Sequence, residues 1–376
     1  MNLMSFGVYE KVKFGLDAAP PSIFSTPNKL DLDATLHITK AKRFLARTGT
    51  DVGNGEGNGY ATFTYKNIFG GAEKLSFDAT IGTSSRSSYI LNFTSPINNS
   101  PKWRGELIGY VTDRNIPWAS HEQIVRGLTA KVASARQELG YEAVWRTISC
   151  TGDYSSATVR DQAGMDIKSS IYHSWAYDTR DNHLTPSRGF YFKTLQEIAG
   201  LGGHGTPFIK GSYESQYAFS FLRDILTLSV GTRGGLLWMA ENKSSHLMDR
   251  FYLGGGNDVR GFRLSGIGPR DDDDYVGGDI YFASGISLFS KLPRLSPQNP
   301  LRLHTFVNGG TILPVDQTRP LPFRELLYGQ SISAGFGLLY THPIARFELN
   351  FTLPLVARER EGLRKGLQFG VGLSFL

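Results

Sequence analysis

No stretch of this chain is apolar for long enough to cross a bilayer as a helix, which takes roughly 18 or more residues. The longest apolar runs, such as Gly235–Ala240 or Arg302–Val307, are short and broken by glycine or polar residues. Cysteine is nearly absent: Cys150 stands alone, which excludes an intrachain disulfide and a thiolate metal cluster. The eight histidines are scattered without ligand spacing, so no metal site is expected. Catalytic signatures are missing too. There is no phosphate loop ending in a lysine, no HExxH and no GxSxG, and the glycine-rich Gly53–Gly59 segment reads as a turn between strands. No enzyme activity and no cofactor are therefore expected. Charge of one sign is not in large excess either: the net charge is +6 with acids and bases interspersed, which does not argue for nucleic acid. Met1–Lys13 carries Glu10, Lys11 and Lys13 and has no continuous apolar core of a secretory signal. A bacterial outer-membrane protein needs such a signal, so either a leader lies outside this sequence or the chain reaches its membrane from the cytosol.

What the chain does have is glycine (43), phenylalanine (24) and tyrosine (17), with a mean hydropathy of only −0.23. A transmembrane barrel hides its apolar surface by alternation, so a modest average fits it. The alternation is clearest near the end. In 367–375 the odd positions are Leu367, Phe369, Val371, Leu373 and Phe375; the even ones are Gln368, Gly370, Gly372 and Ser374. Phe347, Leu349, Phe351 and Leu353 likewise oppose Arg346, Glu348, Asn350 and Thr352. A period of two over about nine residues is that of a tilted membrane-spanning strand, wet on one face and apolar on the other.

Candidate strands of this kind begin at 43–49, 59–67, 73–82 and 88–94 and recur through 301–308, 331–340 and 346–353 to the end, about sixteen in all. The predicted fold class is therefore all-β, a transmembrane antiparallel β-barrel of about sixteen strands; that its long loop folds into the lumen is what the family resemblance given below implies. A soluble sandwich also alternates, but its strands usually run to five or six residues. Connections alternate between short turns and longer loops; the longest, 240–277, contains Gly254–Gly256 and the acidic run Asp271–Asp274. That run lacks the Asp-x-Asp-x-Asp-Gly spacing of a calcium loop and reads as solvated.

Several motifs occur in a telling order. Val259-Arg260-Gly261-Phe262 lies in the long loop; Asp178-Thr179-Arg180-Asp181-Asn182 is followed by Pro186-Ser187-Arg188-Gly189. Gly277-Gly278-Asp279 opens a strand, Phe306, Asn308 and Gly310 share the next, and Ser333, Gly335 and Gly337 precede Pro343 and Pro354-Leu355. These resemble the BamA-like outer-membrane assembly superfamily, whose lumen-plugging loop carries (V/I)RGF and whose following strands carry FxDxG and SxGxG, with Asn308 here in place of the Asp. Gln368-x-Gly370-x-x-Leu373-x-Phe375 is similar to the mitochondrial β-signal. The stretches 48–54, 67–73 and 94–99 are similar to the family that forms the core barrel of the mitochondrial sorting and assembly machinery. Residues 1–42 resemble the end of a POTRA module, with Ser5–Phe14 running into a strand and Leu32–Lys42 as its last strand, so a truncated POTRA remnant is expected before a barrel over 43–376.

The resemblance implies an insertase for β-barrel precursors in the mitochondrial outer membrane. It would work with membrane lipid, unfolded precursors, peripheral accessory subunits on the cytosolic side and a second barrel at its lateral gate. The gate falls between the first strand (Arg43, Phe44, Leu45, Ala46, Arg47, Thr48, Gly49) and the last, where a client's signal would compete with Gln368, Gly370, Leu373 and Phe375. The glycines of the last strand would weaken its packing. Arg260 is expected in the lumen, anchored near Asn308; because Asn308 and Ser287 stand where acids are usual, Asp279 is its expected partner. The rival readings are a passive pore or a bacterial or two-partner secretion barrel of the same superfamily, and, with less support, a barrel enzyme.

Overall fold

The structure, a computed structural model, describes residues 4–18, 32–53, 56–82, 85–152, 155–222, 224–240, 243–292, 299–316, 318–343, 345–372 and 375–376. Two strands come first: β1 (Tyr9–Ala18) and β2 (Leu32–Lys40), paired antiparallel as a separate hairpin. Sixteen more follow. They are β3 (Phe44–Gly53), β4 (Glu56–Lys66), β5 (Lys74–Gly82), β6 (Ser85–Ile97), β7 (Ser100–Ile116) and β8 (His121–Ala133). Next come β9 (Gln137–Cys150), β10 (Gly164–Asp178), β11 (Gly189–Ala199), β12 (Phe208–Phe221) and β13 (Leu226–Met239). The series ends with β14 (Ile280–Lys291), β15 (Leu301–Leu313), β16 (Ser331–Thr341), β17 (Arg346–Val356) and β18 (Gly366–Gly372).

From β3 to β18 every strand pairs antiparallel with its neighbour in sequence, one 16-stranded meander. The two ends of this sheet approach each other, with Cα atoms of β18 and β3 within 8 Å, so the sheet curls into a barrel. Antiparallel hairpins allow this without crossovers, and wrapping the sheet brings its edges together, which a lipid-exposed open sheet could not tolerate.

The period of two sorts the side chains. On β17, Glu348, Asn350 and Thr352 are buried toward the lumen, while Phe347, Leu349, Phe351 and Leu353 face outward. Phe336 and Phe351 pack across strands on the outer face with ring centroids 5.8 Å apart. The inner wall is polar and paired. Lys131 bridges Glu106 (3.4 Å) and Glu138 (3.3 Å), Lys168 bridges Glu142 (3.1 Å) and Glu197 (2.8 Å), and Arg233 bridges Glu214 (2.9 Å) and Asp258 (3.3 Å). A charge here is tolerable because each cation meets two carboxylates.

Two strand ends depart from the alternation in the sequence. β3 runs on to Gly53, beyond Gly49, because it pairs with β4 through Gly53↔Glu56. The odd positions of β18, described to Gly372, face outward, and the apolar odd positions of the sequence continue to Phe375. Phe375 and Leu376 are buried instead, and Leu376 packs with residues of the long loop.

Candidate functional site in the barrel lumen

The connection between β13 and β14 folds into the barrel. Leu253, Val259, Phe262 and Ile267 from it pack with Ala283 of β14, Ile312 of β15 and Leu376 in one apolar cluster. Such a plug needs no regular structure because its backbone is satisfied by the wall. Phe262 bridges Leu363, Arg263 N donates to Gly362 O (2.7 Å) and Arg364 N donates to Gly261 O (2.9 Å).

Arg260 sits at the centre, completely buried. Its guanidinium grips Glu348 of β17 with two bonds, Nε to Oε2 at 2.9 Å and Nη2 to Oε1 at 3.2 Å, the planar fork for which arginine is suited. Nη1 donates to Leu376 O at 3.0 Å, and the group lies 4.8 Å over the Phe306 ring. Glu348 also pairs with Arg346 and accepts from Asn350 Nδ2 at 2.7 Å. With the Asn308 amide turned so that its oxygen faces Arg260, that oxygen accepts from Arg260 N (3.0 Å) and Nη1 (3.2 Å), and its NH2 donates to Ser333 Oγ (2.7 Å). Ser333 Oγ in turn donates to the Arg260 carbonyl, so one hydroxyl proton and each lone pair find a use. His304 completes the cluster, its ring nitrogens 3.1 Å from Ser287 Oγ and 3.2 Å from Asn350 Oδ1. Phe306 and Asn308 are thus lumenal, and Val307 between them is about half exposed on the outer face.

Asp279 is not the partner of Arg260. Its carboxylate accepts from Val315 N (3.1 Å) and its carbonyl from Leu237 N (2.7 Å), both near the rim. Asp279 immediately precedes β14, so it shares Ser287's face but not its depth; the pleat fixes the face and says nothing of the height along the lumen. Glu348, on the wet face of β17, lies at the height to which the loop descends. Gly310 does line the loop: a Cβ there would stand 2.7 Å from Leu253 Cδ2. Gly261 adopts φ +84°, and a Cβ would fall 2.9 Å from Ser333 Cβ, so only glycine fits at this crossing.

The last strand is also held by the loop. Gln368 Oε1 accepts from Gly261 N (2.9 Å), and its Nε2 donates to Phe262 O (3.4 Å). Asn257 Nδ2 donates to Val371 O at 2.7 Å. Side chains at Gly370 and Gly372 would press on Asn257, at 3.0 and 2.7 Å. These two glycines therefore make room for the loop; the idea that they simply loosen the strand is too narrow. Phe375 lies beneath both guanidinium groups, 5.6 Å from Arg260 and 4.6 Å from Arg346; Leu373 lies outside the described residues. Of the first strand, Phe44–Gly49 lie in β3, and the Arg43 carbonyl accepts from Lys66 N at the strand's start. Among the described residues no ladder joins β3 to β18.

The acidic run is not simply solvated. Asp271 accepts from Thr158 N (2.9 Å) and Thr158 Oγ1 (2.6 Å), and Asp274 accepts from Ser156 N (2.8 Å). Both carboxylates thus cap the short helix α1 (Ala157–Asp161) and pin the far side of the loop. Those bonds hold the Asp271 carboxyl below its ordinary range, the Thr158 hydroxyl contributing most. Deeper in the loop, Met248 N donates to His246 Nδ1 at 3.2 Å. Burial, with Arg146 beside it, lowers His246 to about 4, so its imidazole is neutral. Arg146 also fixes Asp249 at 2.7 Å. None of Asp249, Asn257 or Glu348 stands in a recognisable motif; only their parity on a wet strand face or their place in the loop marked them.

The profile of the Omp85 superfamily domain matches residues 67–375. The chain belongs to the Omp85 superfamily. It is 37% identical to a SAM50-like protein of Schizosaccharomyces pombe over 100% of this chain and 80% of that protein. To the sorting and assembly machinery component 50 homolog of Homo sapiens it is 32% identical, over 100% and 81%. To the sorting assembly machinery 50 kDa subunit of Saccharomyces cerevisiae it is 30% identical, over 92% and 78%. Within the superfamily this Omp85 barrel thus falls with the sorting and assembly machinery component 50 proteins. Its fold is that of BamA from Haemophilus ducreyi, with a TM-score of 0.79 at 16% identity over 98% of this chain and 77% of that one. It is an outer-membrane β-barrel.

Proposed function

We propose that this Omp85 barrel inserts β-barrel precursors into the mitochondrial outer membrane by opening laterally between β3 and β18. The observation that carries the reading is the seam itself: the two terminal strands meet within 8 Å, yet no ladder pairs them among the described residues. Each ladder bond contributes about 0.5–1.5 kcal/mol net. A seam of few such bonds would exchange them for a client strand's at little cost, the condition for strand addition. A filled lumen supports the same reading against a passive pore, because the loop's apolar cluster and the buried Arg260 occupy the space a pore must leave open.

The client's signal is read by the groups that hold Gln368 and Gly370: the Gly261 N–H for its polar residue, and the space beside Asn257 for its glycine. Phe375 marks the hydrophobic position that follows. Relatives named as components of a sorting and assembly machinery support a mitochondrial location and accessory subunits on the cytosolic side. The free edge of β3 is equally open to a second barrel. The hairpin of β1 and β2 is read as the remnant of a POTRA domain over residues 1–42, with the insertase barrel over 43–376.

The test is a reversible lock. In a Cys150→Ser background, one cysteine is placed within Phe44–Thr50 and one within Gly366–Gly372, and the oxidised protein is given a radiolabelled barrel precursor. Insertion is expected to stop on oxidation and return on reduction. Insertion at the normal rate by the oxidised, crosslinked protein would rule out lateral opening.

A further inference from the structure

On the outer wall, strands β7 to β10 carry a groove of about 550 Å³, with Leu107, Val132, Leu139, Tyr141 and Ile171 on its sides. Gly105 and Ala130 form part of its lining. A Cβ on Gly105 would find its nearest atom 3.8 Å away, on Ile97, so the groove is open at that point. The next residues along the same strands line a cleft of about 1060 Å³ at the rim, including Lys102, Trp103, Arg104, Arg136 and Trp175. Ser5 from the N-terminal turn lines it as well, which places the cleft on the hairpin's side of the membrane.

Charge distinguishes this corner from the rest of the barrel. The lumenal cations Lys131, Lys168, Arg146 and Arg233 each meet two carboxylates. Lys102 and Arg136 form no ion pair among the described residues, whereas Arg104 alternates with Gly105 and so shares the inward face of Glu106. Arg136 instead lies 5.3 Å over the Tyr177 ring, and Tyr177 stacks on Trp175 at 6.3 Å. Aromatic rings and unpaired cations at a rim, above an apolar groove on the lipid face, reproduce the order of a phospholipid from headgroup to acyl chain.

We propose that β7–β10 bind one anionic phospholipid of the leaflet on the hairpin's side. Its phosphate would lie against Lys102 and Arg136, and an acyl chain would run along the groove past Gly105. A zwitterionic lipid would fill the groove equally but would leave both cations without a net negative partner.

Lipid-selective quenching tests this. The protein, with Trp118, Trp145 and Trp238 changed to Phe so that Trp103 and Trp175 report from this wall, is reconstituted in phosphatidylcholine vesicles. Equal mole fractions of dibrominated phosphatidylglycerol or dibrominated phosphatidylcholine are then added, and fluorescence is followed. The anionic lipid is expected to quench at lower mole fraction. One cation near the membrane surface changes such a preference roughly fivefold, so Arg136→Gln should reduce it by about that factor and the double Lys102→Gln/Arg136→Gln should abolish it. Gly105→Phe, which fills the groove and keeps every charge, should weaken quenching by the anionic lipid. Equal quenching of the parent protein by both lipids would overturn the proposal, as would a preference that survives the double change or a Gly105→Phe protein that quenches like its parent. Heat-modifiable mobility on gels confirms that each variant is folded.

Discussion

Glu348 serves two arginines at once, and the consequences can be worked out. It takes two bonds from Arg260, pairs with Arg346 and accepts one bond from Asn350, all in a site closed to solvent. Glu348→Gln keeps the volume and removes the one carboxylate that, among the described residues, both guanidinium groups touch, leaving two buried like charges. Breaking a buried pair by deleting one partner costs about 3–5 kcal/mol, and the second cation places the expected loss at the upper end of that range. Arg260→Met should be milder, because Glu348 retains Arg346 and Asn350 and the pocket loses a charge with its volume kept. The decisive measurement is a sign change. Arg346→Met should destabilise the natural protein, which loses one of Glu348's partners, yet stabilise the Glu348→Gln protein, where it relieves repulsion between the two cations. Urea unfolding of the purified barrel in detergent, followed by tryptophan fluorescence, gives the four values of the cycle. If Arg346→Met costs the same in both backgrounds, the cluster is not held by the charge balance described here, and the account of the loop's anchor fails with it.

Three further outcomes are expected. Val307→Arg places a charge on the lipid face of β15 and should destabilise by roughly 2–4 kcal/mol if it lies near the midplane, read as a lower urea midpoint, whereas Thr311→Ser on the buried face should change little. Gly261→Ala forces a Cβ to 2.9 Å from Ser333 Cβ at φ +84°; it should raise protease sensitivity of the loop at Arg263 and lower precursor assembly, with β-content by circular dichroism unchanged. The third concerns pH. His246 is lowered to about 4 by burial from an ordinary value near 6.5, so the detached loop takes up a proton in this range and the docked loop does not. Docking is therefore at full strength above pH 6.5 and weakens as pH falls toward 4, by roughly 3 kcal/mol in all. Hydrogen exchange of residues 243–252 should rise over that window in the natural protein and rise less in His246→Gln.

What the sequence disclosed, and what it withheld, follows from geometry. A lipid-facing wall must be apolar at every second residue, so Phe347, Leu349, Phe351 and Leu353 declared both a strand and its outer face, and the same rule sorted Val307 from Phe306 and Asn308. The motif Val259–Phe262 located the plug by its resemblance to the superfamily's lumen loop, and close packing is what the structure adds: Arg260 is buried and Gly261 adopts φ +84°. The partner of Arg260 was hidden for a different reason. Parity assigns a residue to the lumen, but the height at which a loop residue meets the wall depends on how far the loop descends and how the strands are staggered. Asp279 and Glu348 satisfied parity equally well; only the descent of the loop chose between them. The burial of the last two residues was hidden similarly, since the alternation puts Phe375 with the outward odd positions, whereas Phe375 is buried and Leu376 packs against the loop.

The loop's hold on β18 bears on how the seam would open. β18 is held from two sides: its ladder with β17, and the loop's bonds from Gly261 to Gln368 and from Asn257 to Val371. β3 has its ladder with β4 on one side and no loop contact of that kind among the described residues. Separation at the seam therefore strands β18 on the loop and frees the edge of β3, so an incoming strand meets a bare edge on one side and an occupied reader on the other. On the lateral opening proposed above, the client's signal would displace β18 from Gly261 and Asn257 bond for bond, each new bond replacing one that is lost, while the rest of the precursor would pair with β3. Exchange by such replacement would not require the whole ladder of a strand to be absent at once, and the seven described residues of β18 would need few such steps.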